Sequence, residues 1–205
     1  MDRAEQPSAH GAGMTEPEVE AADAILRRQG IRFVVVGGQA IAQKAATTTH
    51  DVDVMVATLD FGKTVERFRG EKDLTFDWSD DQIARFRIRS VGGVPLDVIN
   101  AAAFAGNKSG AEFFRYLTQD GSIEDDGVAY ATPEVVWYTR LLTKRWKAYA
   151  EKIVTNVIDG VSSGRLNKVE EIARRFGNEA TLQERIAYVR EELARPDIES
   201  LIKRP

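Results

Sequence analysis

The chain has 205 residues, of which 43% are hydrophobic and 29% are charged, and its formal net charge is −4. These values are typical of a globular protein with one domain, or one domain and a helical appendage. The absence of cysteine excludes disulfides, thiolate metal sites and cysteine nucleophiles, so a bound metal would be a hard cation held by oxygen, Mg²⁺ or Mn²⁺. No apolar run approaches the roughly 20 residues of a membrane span, and the N-terminus lacks a signal-peptide pattern, which together predict a cytoplasmic protein without a membrane partner.

The first part of the chain predicts alternating helices and strands. Residues 1–14 are rich in Ala and Gly without periodicity and are predicted to be a disordered tail. A capping-box pattern at residues 15–18 begins a helix that ends at Gly30. A β-branched strand follows over residues 31–36, Gly37-Gly38 ends it, and an Ala-rich helix is predicted over residues 39–46. Alternating acidic and apolar residues over 51–56 indicate the next strand.

The second part predicts a hairpin and then helices. A helix is expected at about residues 60–69, and two strands, 82–89 and 94–99, are joined by a turn at Gly92-Gly93. Residues 101–127 are mixed, with a short helix at about 111–118. Thr132 and Pro133 mark the start of a helical region that is broken near residues 160–164 and 177–178. The fold class is therefore predicted to be α+β, with a mixed β-sheet flanked by helices over residues 15–130 and a helical C-terminal region over 131–205.

Charge is divided unevenly along the chain. Residues 51–126 carry fifteen acidic side chains against nine basic ones, whereas residues 140–175 carry nine basic against four acidic ones. This division suits a site that holds cations on one wall and phosphates on the other. Basic helix surfaces that serve only solubility would give the same counts, and both interpretations stay open.

Three aspartates are the candidate metal ligands. Asp51 and Asp53 are two residues apart on a predicted strand, so their side chains project from the same face. Asp97 lies in the middle of an apolar strand, where an unpaired carboxylate is costly. A divalent cation would reduce both the repulsion between Asp51 and Asp53 and the cost of burying the Asp97 carboxylate. The alternative is a solvated strand face, or a pair of acids neutralised by Arg85 and Arg87.

The glycine pair adds a candidate phosphate site. Gly37-Gly38 follows a buried strand and begins a helix, which lets the backbone approach a ligand and offers free N–H groups. A plain strand-to-helix turn would contain the same residues. A phosphate cradle next to metal-binding carboxylates is, however, what phosphoryl transfer with two cations requires.

Together these residues resemble the signature of the DNA polymerase β-like nucleotidyltransferase superfamily. The resemblance is carried by residues 36–40 (Val-Gly-Gly-Gln-Ala), 49–54 (Thr-His-Asp-Val-Asp-Val) and 96–98 (Leu-Asp-Val), and covers roughly residues 31–100. The form Gly-Gly-x-Ala followed by Thr-x-Asp-x-Asp is most similar to the AbiEii-like toxin branch of type IV toxin–antitoxin systems.

The resemblance implies roles for the central residues. Three acids would bind Mg²⁺ or Mn²⁺ and be catalytic: Asp51, Asp53 and Asp97. Gly37, Gly38 and Gln39 would lie under the triphosphate, although the superfamily has Ser where this chain has Gln39.

Basic residues supply further nucleotide-binding candidates. Lys144 is at the position where toxin-like relatives carry a phosphate-binding Lys, with Arg140 and Arg145 as competing candidates. On the hairpin, Arg85 and Arg87 lie on one face and either could clamp a phosphate or balance the acids. Arg85 is taken as the nucleotide-binding one.

The implied activity is the transfer of a nucleoside monophosphate from a nucleoside triphosphate to an acceptor. The toxin-like pattern implies tRNA as acceptor and a cognate antitoxin as partner. One alternative is a small-molecule acceptor, because residues 48–53 are also similar to aminoglycoside and lincosamide nucleotidyltransferases. Another is a non-catalytic nucleotide-binding module of the same fold, which Gln39 would permit.

Overall fold

The computed structural model describes residues 17–42, 51–68, 74–75, 85–89, 95–196 and 198. Several sequence predictions fall outside these ranges: the N-terminal tail, the capping residues 15–16, residues 43–50 and the turn at Gly92-Gly93. The side chain of Gln39 also lies outside what is described.

Within these ranges the chain forms eight α-helices, one short 3-10 helix and seven strands. The helices are α1 (Pro17–Arg27), α2 (Gly37–Ala42), α3 (Thr58–Phe68), α4 (Gly110–Gln119), α5 (Pro133–Leu142), α6 (Trp146–Ile158), α7 (Arg165–Phe176) and α8 (Glu179–Leu193), with the 3-10 helix at Ala101–Phe104. The strands are β1 (Phe33–Val36), β2 (Val52–Val56), β3 (Leu74–Thr75), β4 (Arg85–Arg89), β5 (Pro95–Asn100), β6 (Ser122–Asp125) and β7 (Val128–Ala131).

All of these strands belong to one mixed sheet in the order β3-β4-β5-β2-β1-β7-β6. β2 pairs in parallel with β5 and β1 pairs in parallel with β7, while the other neighbours are antiparallel. Every residue of β1 is buried, which requires cover on both faces at the centre of the sheet. The predicted α+β class, with flanking helices and a helical C-terminal region, is confirmed. The predicted division near residue 130 stays a prediction.

Helix α5 joins the sheet region to the C-terminal helices. It packs against α2 on one side and against α6, α7 and α8 on the other. Its residues Trp137 and Tyr138 are fully buried, and the Tyr138 hydroxyl donates a hydrogen bond to the Phe104 carbonyl oxygen at 2.6 Å. The rings of Phe113 and Phe176 meet edge to face, with centroids 4.8 Å apart, and tie α4 to α7. These contacts join α5 to the 3-10 helix and to the C-terminal helices.

The prediction of mixed structure over residues 101–127 missed a hairpin formed by β6 and β7. Its turn is Asp126-Gly127, whose φ angles of +45° and +76° are those that Asp-Gly hairpin turns favour. The strand β6 has two exposed central residues, so it lacks the alternation that reveals a strand. At the next helix start, Thr132 precedes Pro133 as predicted, but its side chain makes no capping hydrogen bond.

None of the helices in the described part of the chain is long and apolar enough to cross a membrane.

Candidate metal and nucleotide site

A row of charged side chains crosses the sheet from β2 to β4. Asp53 on β2 lies beside Asp97 on β5 in the parallel ladder, and Asp97 lies opposite Arg87 on β4 in the antiparallel ladder. Residues in one cross-strand row project from the same face of a sheet, so these three side chains are neighbours. The buried apolar residues that flank these acids on β2 and β5 hold this register, because a slip by one residue would move every side chain of the strand to the opposite face of the sheet.

Asp51 completes a cluster of three carboxylates. It lies directly before β2 and two residues from Asp53, on the same face. One carboxylate oxygen from each of Asp51, Asp53 and Asp97 lies within 4.8 Å of the other two. Asp97 is fully buried, whereas the other two are partly exposed, so the cluster is open to solvent on their side. The structure therefore brings together the three acids that the sequence singles out, here termed the triad.

The donor set of the triad fits a hard divalent cation. Three anionic oxygens at this spacing repel one another, and a cation shared between them removes that repulsion. Carboxylate oxygen is the ligand that Mg²⁺ and Mn²⁺ prefer. The chemistry of the donors thus supports a metal site on this face of the sheet, where β5 and β2 are inner strands.

Two arginines of β4 neutralise part of the triad. Arg87 donates from Nε to Oδ1 of Asp97 at 2.7 Å and from Nη2 to Oδ2 of Asp97 at 2.9 Å. The same Nη2 donates to Oδ2 of Asp51 at 3.1 Å. Arg85 forms a longer ion pair with Asp97, at 3.4 Å. The hydrogen bond with Asp97 raises the pKa of the Arg87 guanidinium above its ordinary value, so this cation is permanent.

Asp53 carries a strongly perturbed carboxyl group. Burial, followed by the charges of Asp51 and Asp97, raises the pKa of Asp53 to about 7 against the opposing charges of Arg85 and Arg140. The metal-free triad therefore tends to keep a proton on Asp53 near neutral pH. A cation that binds there would displace that proton, as metals do at carboxylate sites.

Gly37 forms the wall behind Asp53. It follows Val36, which pairs with Asp53 across β1 and β2, and its φ of +73° lies in the left-handed region. A β-carbon at this position would lie 2.1 Å from Oδ2 of Asp53. Only glycine therefore leaves Asp53 in its place. The sequence explained this glycine by the approach of a phosphate, and the structure adds a reason within the protein itself.

Helix α5 brings one of the basic candidates to the triad. Arg140 lies in the last turn of α5, its guanidinium carbon is 5.4 Å from the ring centroid of Tyr149, and its charge lowers the pKa of Asp53. Burial lowers the pKa of Arg140 itself. Lys144 and Arg145 are exposed in the turn between α5 and α6. For Arg140, then, the structure supplies an electrostatic link to the triad.

Other basic residues of the 140–175 stretch serve contacts between helices. Glu134 on α5 is buried and pairs with Arg165 at 2.8 Å and with Lys168 at 3.7 Å, both on α7. Arg175 pairs with Asp120 at 3.2 Å. For these residues the plain interpretation of the charge division, as helix surface and ion pairing, is the one that the contacts support.

Arg87 is the residue that sequence reasoning undervalued. Alternation along residues 82–89 placed Arg85 and Arg87 on the face of Asp97 without showing which one would hold it. The register of β4 against β5 decides this, since it sets Arg87 directly opposite Asp97. The sequence did indicate this pairing, because positions 87 and 97 are nearly equidistant from a turn predicted at residues 92–93, and such positions face each other in a hairpin.

No family model and no curated protein matches this chain. Among solved structures, it is similar to a provisional nucleotidyltransferase of Thermotoga maritima, with 15% identity, a TM-score of 0.45 and coverage of 74% of this chain and 99% of the other. A provisional nucleotidyltransferase of H. pylori gives 11% identity, a TM-score of 0.42 and coverage of 92% and 99%. The CCA-adding enzyme of T. maritima, solved with tRNA, gives 14% identity, a TM-score of 0.32 and coverage of 87% and 52%. Similarity at this level says nothing about what this chain binds or acts on.

Proposed function

We propose that this chain is a metal-dependent nucleotidyltransferase, which transfers a nucleoside monophosphate from a nucleoside triphosphate to an acceptor. The observation that supports this most directly is the convergence of Asp51, Asp53 and Asp97, with one carboxylate oxygen from each within 4.8 Å of the others, beside Gly37, where a β-carbon would displace Asp53. Mg²⁺ or Mn²⁺ held by these acids would neutralise charge on the triphosphate and favour ionisation of the attacking hydroxyl.

Each part of the site has a proposed role. Asp51 and Asp53 are partly exposed and would hold cations that also contact the triphosphate, whereas the buried Asp97 would face the attacking group. In the reaction the acceptor hydroxyl gives its proton to water and its oxygen bonds to the α-phosphorus. The bond between the α-phosphorus and the oxygen that bridges to the β-phosphorus breaks, and pyrophosphate leaves. Positioning and charge neutralisation would supply most of the rate enhancement.

Basic residues and the glycine turn would hold the triphosphate. Arg140 is the first candidate, because its charge already acts on Asp53 and its guanidinium is oriented by Tyr149. Lys144 and Arg85 are further candidates from the sequence. The backbone of Gly37 and Gly38, followed by Gln39, would approach the phosphates.

The proposed acceptor is a tRNA, with the activity that of an AbiEii-like toxin restrained by a cognate antitoxin. Support for this comes from the motif resemblance and from exposed cations in the turn after α5, where Lys144 and Arg145 lie. The alternatives are an antibiotic of the aminoglycoside or lincosamide class as acceptor, and a module that binds nucleotide without turnover. Phosphate contacts to RNA make activity fall steeply with salt, whereas a small acceptor would not.

A direct test incubates the protein with each α-³²P-labelled nucleoside triphosphate, Mg²⁺ and total RNA. We expect label to appear in tRNA with one of the four nucleotides and to be lost in the Asp51→Asn variant, which keeps the shape of the side chain. The matched control is Asp120→Asn, which removes an exposed acid that pairs with Arg175 outside the triad. Equal labelling by both variants would contradict the proposed site.

Two other results separate the alternatives. Label transferred to an aminoglycoside or lincosamide but not to RNA would replace tRNA by an antibiotic as acceptor. Nucleotide binding that requires Mg²⁺, with no transfer to any acceptor tested, would favour the non-catalytic module.

A further inference from the structure

Arg87 places a positive charge next to the same carboxylates that a cation bound by the triad would contact. Its Nη2 atom lies 2.9 Å from Oδ2 of Asp97 on β5 and 3.1 Å from Oδ2 of Asp51, which directly precedes β2, so one nitrogen bridges two acids from different parts of the chain. About a third of the Arg87 side chain is exposed, as is a similar share of Asp51. The guanidinium is thus the triad's own counter-cation.

The two halves of this bridge differ in strength. Towards Asp97 the contact is bidentate, with bonds of 2.7 and 2.9 Å to a carboxylate that is almost wholly buried. Towards Asp51 it is a single bond of 3.1 Å at the exposed side of the cluster. Bidentate, desolvated pairs of arginine and carboxylate are the stronger kind, so the bond to Asp51 breaks first.

From this asymmetry we propose that Arg87 is a positioning residue that holds Asp97 in place permanently and releases Asp51 when a divalent cation binds. The inference rests on the proposed function, because it concerns the affinity of the same site for metal. In the resting protein the bridge keeps the acids close together without a metal. Its charge opposes an incoming cation, so tight metal binding requires additional anionic ligands such as those of a triphosphate.

The alternative role for Arg87 is purely structural, as a permanent partner of two acids that never bind metal. The two roles predict different results for cation binding when the guanidinium is removed. If the bridge competes with a cation, its loss tightens binding, since Asp97 and Asp51 lose the guanidinium that offsets part of their charge, and only the longer ion pair of Asp97 with Arg85 remains. If the acids hold no metal, its loss leaves binding absent.

The test is a Mn²⁺ titration of the full chain without nucleotide, in which free Mn²⁺ is followed by its electron paramagnetic resonance signal. We expect Arg87→Met to bind Mn²⁺ about tenfold more tightly than the wild type, because a nearby positive charge is gone. The matched control is Arg175→Met, which removes a guanidinium that pairs with Asp120 outside the triad, and it is expected to leave the Mn²⁺ affinity unchanged. The melting temperature should rise more on Mn²⁺ addition in Arg87→Met than in the wild type.

The variant Arg87→Lys keeps the proposal testable if Arg87→Met does not fold. Arg87→Lys keeps the charge but cannot make the bidentate pair and the bridge together, so we expect a smaller gain in Mn²⁺ affinity than in Arg87→Met. An Arg87→Met affinity equal to or weaker than wild type, or an equal gain in Arg175→Met, would overturn the bridge. In that case, wild-type Mn²⁺ binding lost in Asp51→Asn would leave the proposed function standing, whereas the absence of Mn²⁺ binding in every protein would overturn both.

Discussion

In the part of the chain that the structure describes, acidic side chains are buried in two places, and their negative charge is balanced differently in each. In the C-terminal helices Glu134 is 5% exposed and has two cations, Arg165 and Lys168, within 4.0 Å. On the sheet Asp97 is fully buried and also has two cations, Arg87 and Arg85, but it shares them with two further acids. The first is one acid with two bases and the second is three acids with two bases.

This difference in charge balance separates a structural ion pair from a site. Around Glu134 a single negative charge faces two cations, so the local charge is already compensated. In the triad, burial and then the charges of Asp51 and Asp97, which the two arginines only partly offset, raise the pKa of Asp53 to about 7. Natural proteins keep such an uncompensated cluster mainly where a ligand completes it.

The pH dependence of stability should show the contrast most strongly. An aspartate in the unfolded chain ionises near pH 3.8, whereas Asp53 in the metal-free folded protein keeps its proton up to about pH 7. Between these values the folded state binds more protons, so Asp53 lowers the free energy of unfolding progressively as pH rises, and the effect levels off above pH 7. We expect Asp53→Asn to be more stable than wild type by on the order of 3 kcal/mol at pH 8 and nearly equal at pH 4.

Urea unfolding in the presence of EDTA at several pH values measures this difference. Glu134→Gln is the comparison, since removing a compensated acid should destabilise the protein instead. Addition of Mg²⁺ or Mn²⁺ at pH 8 should reduce the advantage of Asp53→Asn. A difference between Asp53→Asn and wild type that does not change with pH would refute the assignment.

Substitution of Gly37, which lies behind the triad, should show that transfer activity depends on the geometry of the triad and not on its charge alone. In Gly37→Ala the new β-carbon would meet Oδ2 of Asp53 at 2.1 Å, so the carboxylate must move. We expect nucleotidyl transfer to fall by about 100-fold, the usual effect of a misplacement on the order of 1 Å. Steady-state transfer rates at saturating Mg²⁺ provide the measurement.

Gly30→Ala is the matched control for this prediction. Gly30 has a similar φ of +69°, but a β-carbon there meets nothing within 4 Å. It therefore carries the same backbone strain, a cost of about 1 kcal/mol, without disturbing an acid. If both alanine variants lost activity equally, backbone strain rather than the position of Asp53 would be the cause.

Truncation of the compensated acid should affect stability alone. Glu134→Ala leaves Arg165 without its 2.8 Å partner and should lower the free energy of unfolding by about 2 kcal/mol, less than for a wholly buried pair because Arg165 is partly exposed. Transfer activity per folded molecule and Mn²⁺ affinity should be unchanged. Loss of Mn²⁺ binding in this variant would mean that the two acidic regions are coupled.

Much of the fold follows from local patterns. The β-branched run before Gly37, the acidic and apolar alternation of β2 and the arginine alternation of β4 all became strands. Elements without such a pattern were missed, as β6 shows, because two of its residues are exposed and its pairing with β7 is decided by the turn Asp126-Gly127.

The candidate site divides in the same way. The sequence by itself determined which acids share a face, because Asp51 and Asp53 are two positions apart in an extended segment. It also marked Asp97 as an acid in an apolar strand. Only the tertiary structure decided that these strands are neighbours, that Arg87 rather than Arg85 forms the bidentate pair, and that the charge of Arg140 on another helix lowers the pKa of Asp53. The physical reason is that alternation assigns side chains to faces, whereas strand order, register and helix packing depend on burying apolar residues that are distant in the sequence.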